Sequence, residues 1–393
     1  MNNSATRTKA TFLPPVMEAR RWLDGVHFPA DRPLINVSQA APVAPPPPPL
    51  LAAMKEAVDR PETHLYGPVL GNPALRARIA SDWSAAYGGD IAASQVAITA
   101  GCNQAFCAAI FALCAEGDEV ILPTPWYFNH KMWLDMCGVG AVPLPCEADM
   151  LPDPERAAAL ITPRTRAIVL VSPNNPAGTE YPPALIAAFR DLCRARGLIL
   201  MLDETYRDFH SSDAAPHDLF TDPDWADVLV HLYSFSKAYR LTGHRTGAII
   251  ASTKLLEEME KFQDCVAICA PQMGQQAALW GMENLSQWLA GERAEILARR
   301  QAMLAGADQL AQAGWTLHSA GAYFAYLSHP FEKSSAELAP ELVRTAGILM
   351  LPGTMFNPAG DPAGARQMRV AVANLDRAGI TAFLDRITAF ASA

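Results

Sequence analysis

Residues 234–245 read Ser-Phe-Ser-Lys-Ala-Tyr-Arg-Leu-Thr-Gly-His-Arg and follow a short apolar run, Val228 to Leu232. A run this short, rich in Val and Leu and ending in small hydroxylated residues, predicts a buried strand. In the turn after that strand, the amine of Lys237 is expected to be partly desolvated and therefore more nucleophilic, which suits a Schiff base. The competing interpretation is a solvated surface lysine, the ordinary environment of a lysine.

The bulk composition predicts a globular protein of two domains. Half of the 393 residues are hydrophobic and 18% are charged, so a large buried interior is expected. The net charge of -9 and the lack of a clustered basic run argue against nucleic acid as the main partner. The N-terminus lacks the apolar core of a signal peptide, and no stretch of about 18 apolar residues predicts a membrane span. We therefore expect a protein with no membrane segment.

The eight cysteines form no C-x-x-C pair and have no nearby histidine at metal-ligand spacing. No metal site is expected from them. Several lie in apolar runs, where a free thiol behaves as a small hydrophobe. This usage favours a reducing, cytoplasmic location.

The apolar runs alternate with helical patterns, which predicts an α/β fold with a mostly parallel, mixed sheet flanked by helices. Strands are predicted to begin near residues 96, 119, 167, 198, 228 and 246. Residues 279–310 predict a long helix leading into a small α/β domain with strands at 321–327, 348–351 and 368–371. The predicted divisions are an N-terminal arm with part of the small domain (1–49), a large domain (50–285) and a C-terminal small domain (286–393).

Candidate ligand-binding residues follow the predicted strands, at the edge where parallel sheets bind ligands. Gly101, Cys102 and Asn103 form a turn into a helix, whose free N–H groups and dipole suit a phosphate. Asp203 ends a buried strand, and a carboxylate there requires a cation unless it merely caps a helix. Asn175 follows another strand, where its amide can donate to a phenolate oxygen or simply shape a turn.

Several motifs in fixed order resemble the class I/II aminotransferases, the fold-type I enzymes that use pyridoxal phosphate. The resemblance extends from Asn36 to Arg369. Its motifs are SFSK at 234–237 with Arg245, YGPVLGNPALR at 66–76, TAGCNQA at 99–105, SPNNPAG at 172–178, PGTMF at 352–356 and MRV at 368–370. The resemblance implies a large pyridoxal-phosphate-binding domain, a small domain and a homodimer with shared active sites.

By this resemblance Lys237 is the catalytic residue and carries the cofactor as a Schiff base. The implied cofactor-binding residues are Tyr66, Gly101, Cys102, Asn103, Tyr127, Asn175, Asp203, Tyr206, Ser234, Ser236, Lys237 and Arg245. Asp203 would pair with the pyridinium nitrogen, and Arg245 would make a forked contact to the phosphate. The implied substrate-binding residues are Ala40, Asn175 and Arg369, with Arg369 clamping the α-carboxylate.

The resemblance assigns further roles to three residues. Tyr127 would stack on the pyridine ring, with Trp126 as the second candidate, and Tyr206 would hydrogen-bond the 3-oxygen of that ring. Tyr66 would reach the phosphate in the neighbouring subunit. Ala40 stands where the family usually has glycine, so it either narrows the pocket or fits without consequence.

These features predict an aminotransferase that moves the α-amino group of an L-amino acid to a 2-oxo acid by a ping-pong mechanism. A carbon-sulfur β-lyase, or another eliminating or cyclising enzyme of the same fold, is the alternative. Tyr206 favours transamination, and the joint presence of Lys237, Asp203 and Arg369 argues against a non-catalytic relative. Aromatic residues near Tyr127 and Tyr323 favour an apolar or aromatic donor, and no second arginine is evident for an acidic side chain.

Overall fold

A computed structural model describes residues 6–391 of the chain as an α/β protein. Its helices are α1 (Pro15–Arg21), α2 (Pro48–Val58), α3 (Pro73–Tyr87), α4 (Cys102–Leu113), α5 (Phe128–Cys137), α6 (Pro154–Leu160), α7 (Pro183–Arg196), α8 (Phe235–Ala238), α9 (Thr253–Ala267), α10 (Gln272–Asn284), α11 (Ser286–Ala305), α12 (Ala307–Gln312), α13 (Ser335–Ala346) and α14 (Arg377–Ala391). Its strands are β1 (Ile35–Asn36), β2 (Val96–Thr99), β3 (Glu119–Thr124), β4 (Gly140–Pro145), β5 (Thr165–Val171), β6 (Ile199–Asp203), β7 (Leu229–Ser234), β8 (Gly247–Ile250), β9 (Thr316–Gly321), β10 (Phe324–Ser328), β11 (Ile348–Leu349), β12 (Leu351–Pro352) and β13 (Gln367–Val370).

A seven-stranded sheet with the order β2-β8-β7-β6-β5-β3-β4 forms the centre of the molecule. All neighbouring pairs are parallel except those of β8, which is antiparallel to both β2 and β7. The predicted mostly parallel, mixed sheet is confirmed. Strand β4 was not predicted, because its sequence GAVPLP contains two prolines. Its place at the sheet edge explains them, since an edge strand needs fewer N–H donors.

The central strands are covered on both faces. In β6, Leu200 and Leu202 belong to one buried apolar cluster, whereas Met201 between them belongs to another. Successive side chains of a strand point to opposite faces, so each face of the sheet contributes to a separate core. This double burial explains the nearly continuous apolar sequences of β5, β6 and β7.

A second, antiparallel sheet has the order β12-β13-β10-β9. It packs with a third apolar cluster that includes Trp315, Phe324 and Phe383. Strand β1 pairs in parallel with β11, so the N-terminal part of the chain joins the C-terminal part. The helix predicted over 279–310 is instead three helices, with breaks at Leu285 and Gly306. The domain boundaries after residues 49 and 285 stay predictions.

Within residues 6–391, no helix is both long and apolar enough to cross a membrane. The eight cysteines are all free thiols. The carboxyl ends of β5, β6 and β7 and the start of α4 face a common space, and β13 brings Arg369 to it from the second sheet.

Candidate active site

A cavity of about 590 Å³ opens at the carboxyl ends of the central strands. All of the predicted site residues except Gly101 and Tyr66 line it. They are Ala40, Cys102, Asn103, Tyr127, Asn175, Asp203, Tyr206, Ser234, Ser236, Lys237, Arg245 and Arg369. Residues from seven separate segments of the sequence therefore meet where the sheet topology predicts a ligand.

Lys237 lies on the short helix α8, directly after β7. Its Nζ donates a 2.8 Å hydrogen bond to the carbonyl oxygen of Ala40. Burial, with smaller contributions from Arg245 and Arg369, lowers the pKa of Lys237 to about 8. An appreciable minority of this amine is therefore neutral near physiological pH, as a nucleophile or a proton acceptor requires.

Asp203 ends β6 and is 3% exposed. Its Oδ1 accepts a 3.0 Å hydrogen bond from the backbone N–H of Thr205, and its Oδ2 lies 3.4 Å from Nε2 of His130. Burial alone would raise the pKa of Asp203, but His130 and Thr205 together hold it below the ordinary value. The site thus keeps a buried carboxylate charged, which suits a cationic ligand group.

His130 was not predicted as a site residue. It lies on α5, where it stacks on Phe106 with ring centroids 3.9 Å apart and meets the edge of Tyr127 at 5.0 Å. The proximity of Tyr127 in the sequence was the only available signal, because the contact with Asp203 joins segments that are far apart in the chain.

Arg369, on β13, is 2% exposed and has no carboxylate partner among residues 6–391. Its Nη1 donates to Oδ1 of Asn175 at 3.1 Å, its Nη2 donates to the carbonyl oxygen of Ser38, and its Nε has no partner. Burial lowers the pKa of Arg369 to about 10, an effect that nearby tyrosines partly oppose. A buried guanidinium without a counter-ion is a suitable site for an anionic ligand group.

Arg245 and the start of α4 form a second anion-binding corner. Nη1 of Arg245 donates to the carbonyl oxygen of Thr242 at 2.9 Å and lies 3.4 Å from Oγ of Ser236. Gly101 precedes α4 with φ +90°, and a Cβ at this position would lie only 2.1 Å from Nη2 of Arg245. Gly101 is therefore needed for the close approach of the guanidinium, although it does not itself line the cavity. The first N–H groups of α4, at Cys102 and Asn103, lack partners within the helix and can bind a phosphate.

Three successive carbonyl groups of the loop after β1 hold parts of the site together. The carbonyl oxygens of Ser38, Gln39 and Ala40 accept hydrogen bonds from three different partners. These partners are Arg369, Asn374 and Lys237, respectively. Only Ala40 was predicted to belong to the site. Every residue has a backbone carbonyl, so the sequence does not show which carbonyls accept hydrogen bonds.

Two predicted residues lie apart from the cavity lining. Gly101 acts behind it, as described above. Tyr66 is 79% exposed on the surface, so its side chain does not contribute to the cavity of its own chain. Its predicted contact with a neighbouring subunit stays a prediction.

Comparison with known proteins gives a consistent set of relatives. The family model for class I and II aminotransferases matches residues 32–387. An arginine–pyruvate transaminase from Pseudomonas aeruginosa is 33% identical over 303 residues, 75% of this chain and 75% of the relative. An aromatic aminotransferase from Arabidopsis thaliana is 34% identical over 259 residues, 64% of each chain.

Solved structures agree with these sequence relatives. An aminotransferase from Mycobacterium tuberculosis is 28% identical, with a TM-score of 0.86 and complete coverage of both chains (100% and 100%). A single mutant of the aspartate aminotransferase from Thermus thermophilus has a TM-score of 0.87 at 23% identity, covering 99% of this chain and 100% of the other, and shares the fold. These relatives do not favour the elimination alternative.

Proposed function

This chain belongs to the class I and II aminotransferase family, and on that premise we propose how its residues transfer an amino group between an L-amino acid and a 2-oxo acid. The enzymes of this family depend on pyridoxal phosphate. The observation that carries the proposal is the convergence of the Lys237 amine, the Asp203 carboxylate and the Arg369 guanidinium on one cavity. When bound, pyridoxal phosphate supplies an aldehyde that joins amines and a ring that takes up electrons from the substrate's α-carbon.

The donor groups in the cavity fit this cofactor. Arg245 and the start of α4 would hold the phosphate, because both offer N–H donors without a carboxylate partner nearby. Asp203 would hold the protonated ring nitrogen, since its buried charge needs a cation. Tyr206 and Asn175 would donate to the ring oxygen, and Tyr127 would cover the ring face.

Lys237 would hold the aldehyde end of the cofactor and afterwards act as the proton carrier. Because its pKa is lowered to about 8, Nζ can accept a proton from the α-carbon and release it again near neutral pH. The carbonyl oxygen of Ala40, 2.8 Å from Nζ, would orient the amine while it is free.

Arg369 would bind the substrate α-carboxylate in a forked contact. Asn175 and the Ser38 carbonyl fix the orientation of the guanidinium before substrate arrives, so little freedom is lost on binding. The buried surroundings exclude water, which strengthens this ion pair.

The apolar part of the cavity lining supports an apolar or aromatic amino donor. Val16 and Met17 of α1 and Phe128 of α5 line the cavity and offer apolar contact. The similarity to an aromatic aminotransferase agrees with this proposal.

One observation favours a second candidate, a donor with an acidic side chain. Arg20 also lines the cavity, donates to Oε1 of Gln39 at 2.7 Å and has no carboxylate partner among residues 6–391.

The test is a panel of L-amino acids incubated with the holoenzyme without an oxo-acid acceptor. An aminotransferase releases one 2-oxo acid per site and stops, and the fastest donors identify the side-chain class. Preference for aromatic donors supports the main proposal. Preference for acidic donors that is lost in Arg20→Gln supports the second candidate. Continuous release of pyruvate and ammonia would contradict both.

We further propose a homodimer in which Tyr66 completes the cavity of the second subunit. Tyr66 and its neighbour Leu65 are 79% and 64% exposed, and exposed apolar groups of this size often mark an interface. Mixing Lys237→Ala and Tyr66→Ala subunits tests this proposal. Activity should return to about one quarter of the wild-type level, because half of the dimers are hybrids with one intact site. No recovery above the parent variants would contradict shared sites.

The free cysteines also agree with a cytoplasmic location, which fractionation of cells can check.

A further inference from the structure

A buried polar cluster lies behind the cavity, on the other side of the β6 strand end from Asp203. We call it the Glu204 cluster; it comprises Glu204, Tyr87, His217 and His231. The exposed fraction of each is 2% or less. Oε2 of Glu204 accepts hydrogen bonds from the Tyr87 hydroxyl and from Nε2 of His231, the latter at 2.8 Å. Nε2 of His217 lies 3.5 Å from the same oxygen.

The ligand atoms of Glu204, His217 and His231 lie within 4.8 Å of one another, a spacing that a metal ion could bridge. The hydrogen bonds of His217 argue against a metal. The backbone N–H of Leu219 donates to Nδ1 of His217 at 3.1 Å, so this nitrogen carries no proton. The ring proton then lies on Nε2, the atom that a metal would need. A metal-binding histidine normally donates its other N–H to an acceptor, and Nδ1 of His231 has no such partner within the described part of the chain. The cluster is therefore organised around a carboxylate that accepts hydrogen bonds from its neighbours, and not around a metal.

The charge of Glu204 is maintained at this buried position. Burial by itself raises the pKa of Glu204, but His217 and His231 hold it well below the ordinary value. Burial also lowers the pKa of His231, so this ring is neutral and donates through Nε2. A buried carboxylate with these donors forms strong, directional hydrogen bonds.

These hydrogen bonds join the two strands that carry the proposed catalytic groups. Glu204 follows Asp203 at the end of β6, and His231 lies on β7, which leads to Lys237. The backbone N–H of Glu204 also donates to the carbonyl oxygen of Leu232 on β7 at 2.9 Å. The side-chain bond therefore fixes the strand end beyond the last regular pairing of β6 with β7, which is Asp203 with Leu232.

Arg207 and Asp208, which follow Glu204 in the chain, are held on the same side as Glu204. The guanidinium carbon of Arg207 lies 3.9 Å from the ring centroid of Trp83 and 4.9 Å from that of Tyr87. Oδ2 of Asp208 accepts a 2.6 Å hydrogen bond from the hydroxyl of Tyr233 on β7. The segment 203–208 thus presents Asp203 and Tyr206 to the cavity, while its other charged side chains are anchored away from it.

We propose that Glu204 is a positioning residue that sets the placement of Asp203 and Tyr206 relative to Lys237, and thereby the orientation of the cofactor ring. The inference rests on the roles proposed above for Asp203 and Lys237. It differs from a purely stabilising role because the loss of the Glu204 bonds should change the environment of the cofactor itself.

The test compares Glu204→Met, which removes the acceptor oxygens, with Glu204→Gln, which keeps one. Both are prepared as holoenzymes, and the visible circular dichroism band of the bound cofactor, kcat and KM are measured. For Glu204→Met we expect an altered dichroism band and a kcat lowered about 10- to 100-fold, with KM for the donor nearly unchanged, since small misplacements have effects of this size. Glu204→Gln should restore the band and bring kcat to within about threefold of wild type. If Glu204→Met does not fold, Tyr87→Phe, which removes one donor and keeps the ring, should alter the band in the same direction.

A matched control is His329→Met. Like Glu204, His329 is buried, at 3% exposure, and its Nδ1, like that of His231, has no partner among residues 6–391. It lies directly after β10 of the second sheet. This variant should lower the melting temperature without changing the dichroism band.

Two results would overturn the inference. A Glu204→Met enzyme with wild-type dichroism and kcat, and only a lower melting temperature, would show that the cluster is structural. A Glu204→Gln enzyme as impaired as Glu204→Met would show that charge, not geometry, matters. Failure of the proposed function is seen separately, because Lys237→Ala would then remain active.

Discussion

Replacement of Arg369 by methionine should nearly abolish recognition of amino acids while leaving the protein folded. The guanidinium is 2% exposed, donates to Asn175 and Ser38, and faces no carboxylate within the described part of the chain. Its bond with a substrate carboxylate would therefore be a buried charge pair, and loss of one partner of such a pair costs about 2–5 kcal/mol. At about 1.4 kcal/mol per factor of ten, kcat/KM should fall by about 30- to 4,000-fold.

The effect of Arg369→Met on the stability of the cofactor-free protein should be small. Lowering of the Arg369 pKa from 12.5 to about 10 by burial corresponds to a cost on the order of 3 kcal/mol for the unpaired charge. Its hydrogen bonds to Asn175 and Ser38 contribute about 1.5–3 kcal/mol each, so their sum exceeds that cost by at most about 3 kcal/mol. Methionine is long, flexible and apolar, and it can occupy much of the same space.

The assay compares kcat/KM for the best donor with kcat/KM for the corresponding amine that lacks the α-carboxylate. Arg369→Met should lose most of the preference for the amino acid. Arg300→Met is the matched control, because Arg300 is a partly buried arginine that donates to the carbonyl of Ala320 at 2.8 Å outside the cavity. An Arg369→Met enzyme that keeps the wild-type preference would refute the role of Arg369.

Three further predictions concern the cofactor corner and the lysine. Gly101→Ala should raise the Kd for pyridoxal phosphate about 5- to 150-fold, because the new Cβ would lie 2.1 Å from Nη2 of Arg245 at φ +90°. Gly117→Ala is its control, because Gly117 has φ +88° but a Cβ there would meet no atom of residues 6–391 within 4 Å. Kd is measured by fluorescence titration, and an equal rise in both variants would contradict this reason. Asp203→Asn should lower kcat about 10²- to 10³-fold, since the ring nitrogen loses its charged partner, and steady-state kinetics with wild-type kcat would contradict that role. The folded-state pKa of Lys237, about 8, lies below its unfolded value of 10.5, so the unfolded state binds the extra proton between these values. The free energy of unfolding of the cofactor-free protein should therefore rise by on the order of 3 kcal/mol from pH 8 to 10.5 relative to Lys237→Met, as measured by urea unfolding. An unchanged difference between these two proteins across that range would contradict the lowered pKa.

The sequence predicted the site best where a functional residue follows an apolar run that forms a buried strand. Lys237, Asp203 and Asn175 each come directly after an apolar run, and parallel strands bring their carboxyl ends to one edge. Their presence in one cavity could therefore be predicted from the α/β pattern. The predicted strand near residue 246 was also confirmed, but its antiparallel direction in the sheet depends on the course of the chain between strands, which periodicity does not encode.

Other features depend on contacts between distant segments. His130 reaches Asp203 only because α5 packs against α4 near the carboxyl ends of the central strands, and nothing in its local sequence distinguishes it from an ordinary helical histidine. Arg20 comes to the cavity because α1 packs near Phe128, a contact that no sequence motif marks, and its use for an acidic side chain stays a proposal. The Glu204 cluster joins α3, β6 and β7 and has no sequence spacing of its own.

The most direct test of the central claim is to reduce the holoenzyme with borohydride and locate the attached cofactor by peptide mass spectrometry. Reduction should fix the cofactor to the peptide that contains Lys237. Prior incubation with a good amino donor should release one 2-oxo acid per site and prevent this attachment. Attachment to a different lysine, or attachment to Lys237 that no amino acid prevents, would contradict the assignment of this cavity as an aminotransferase site.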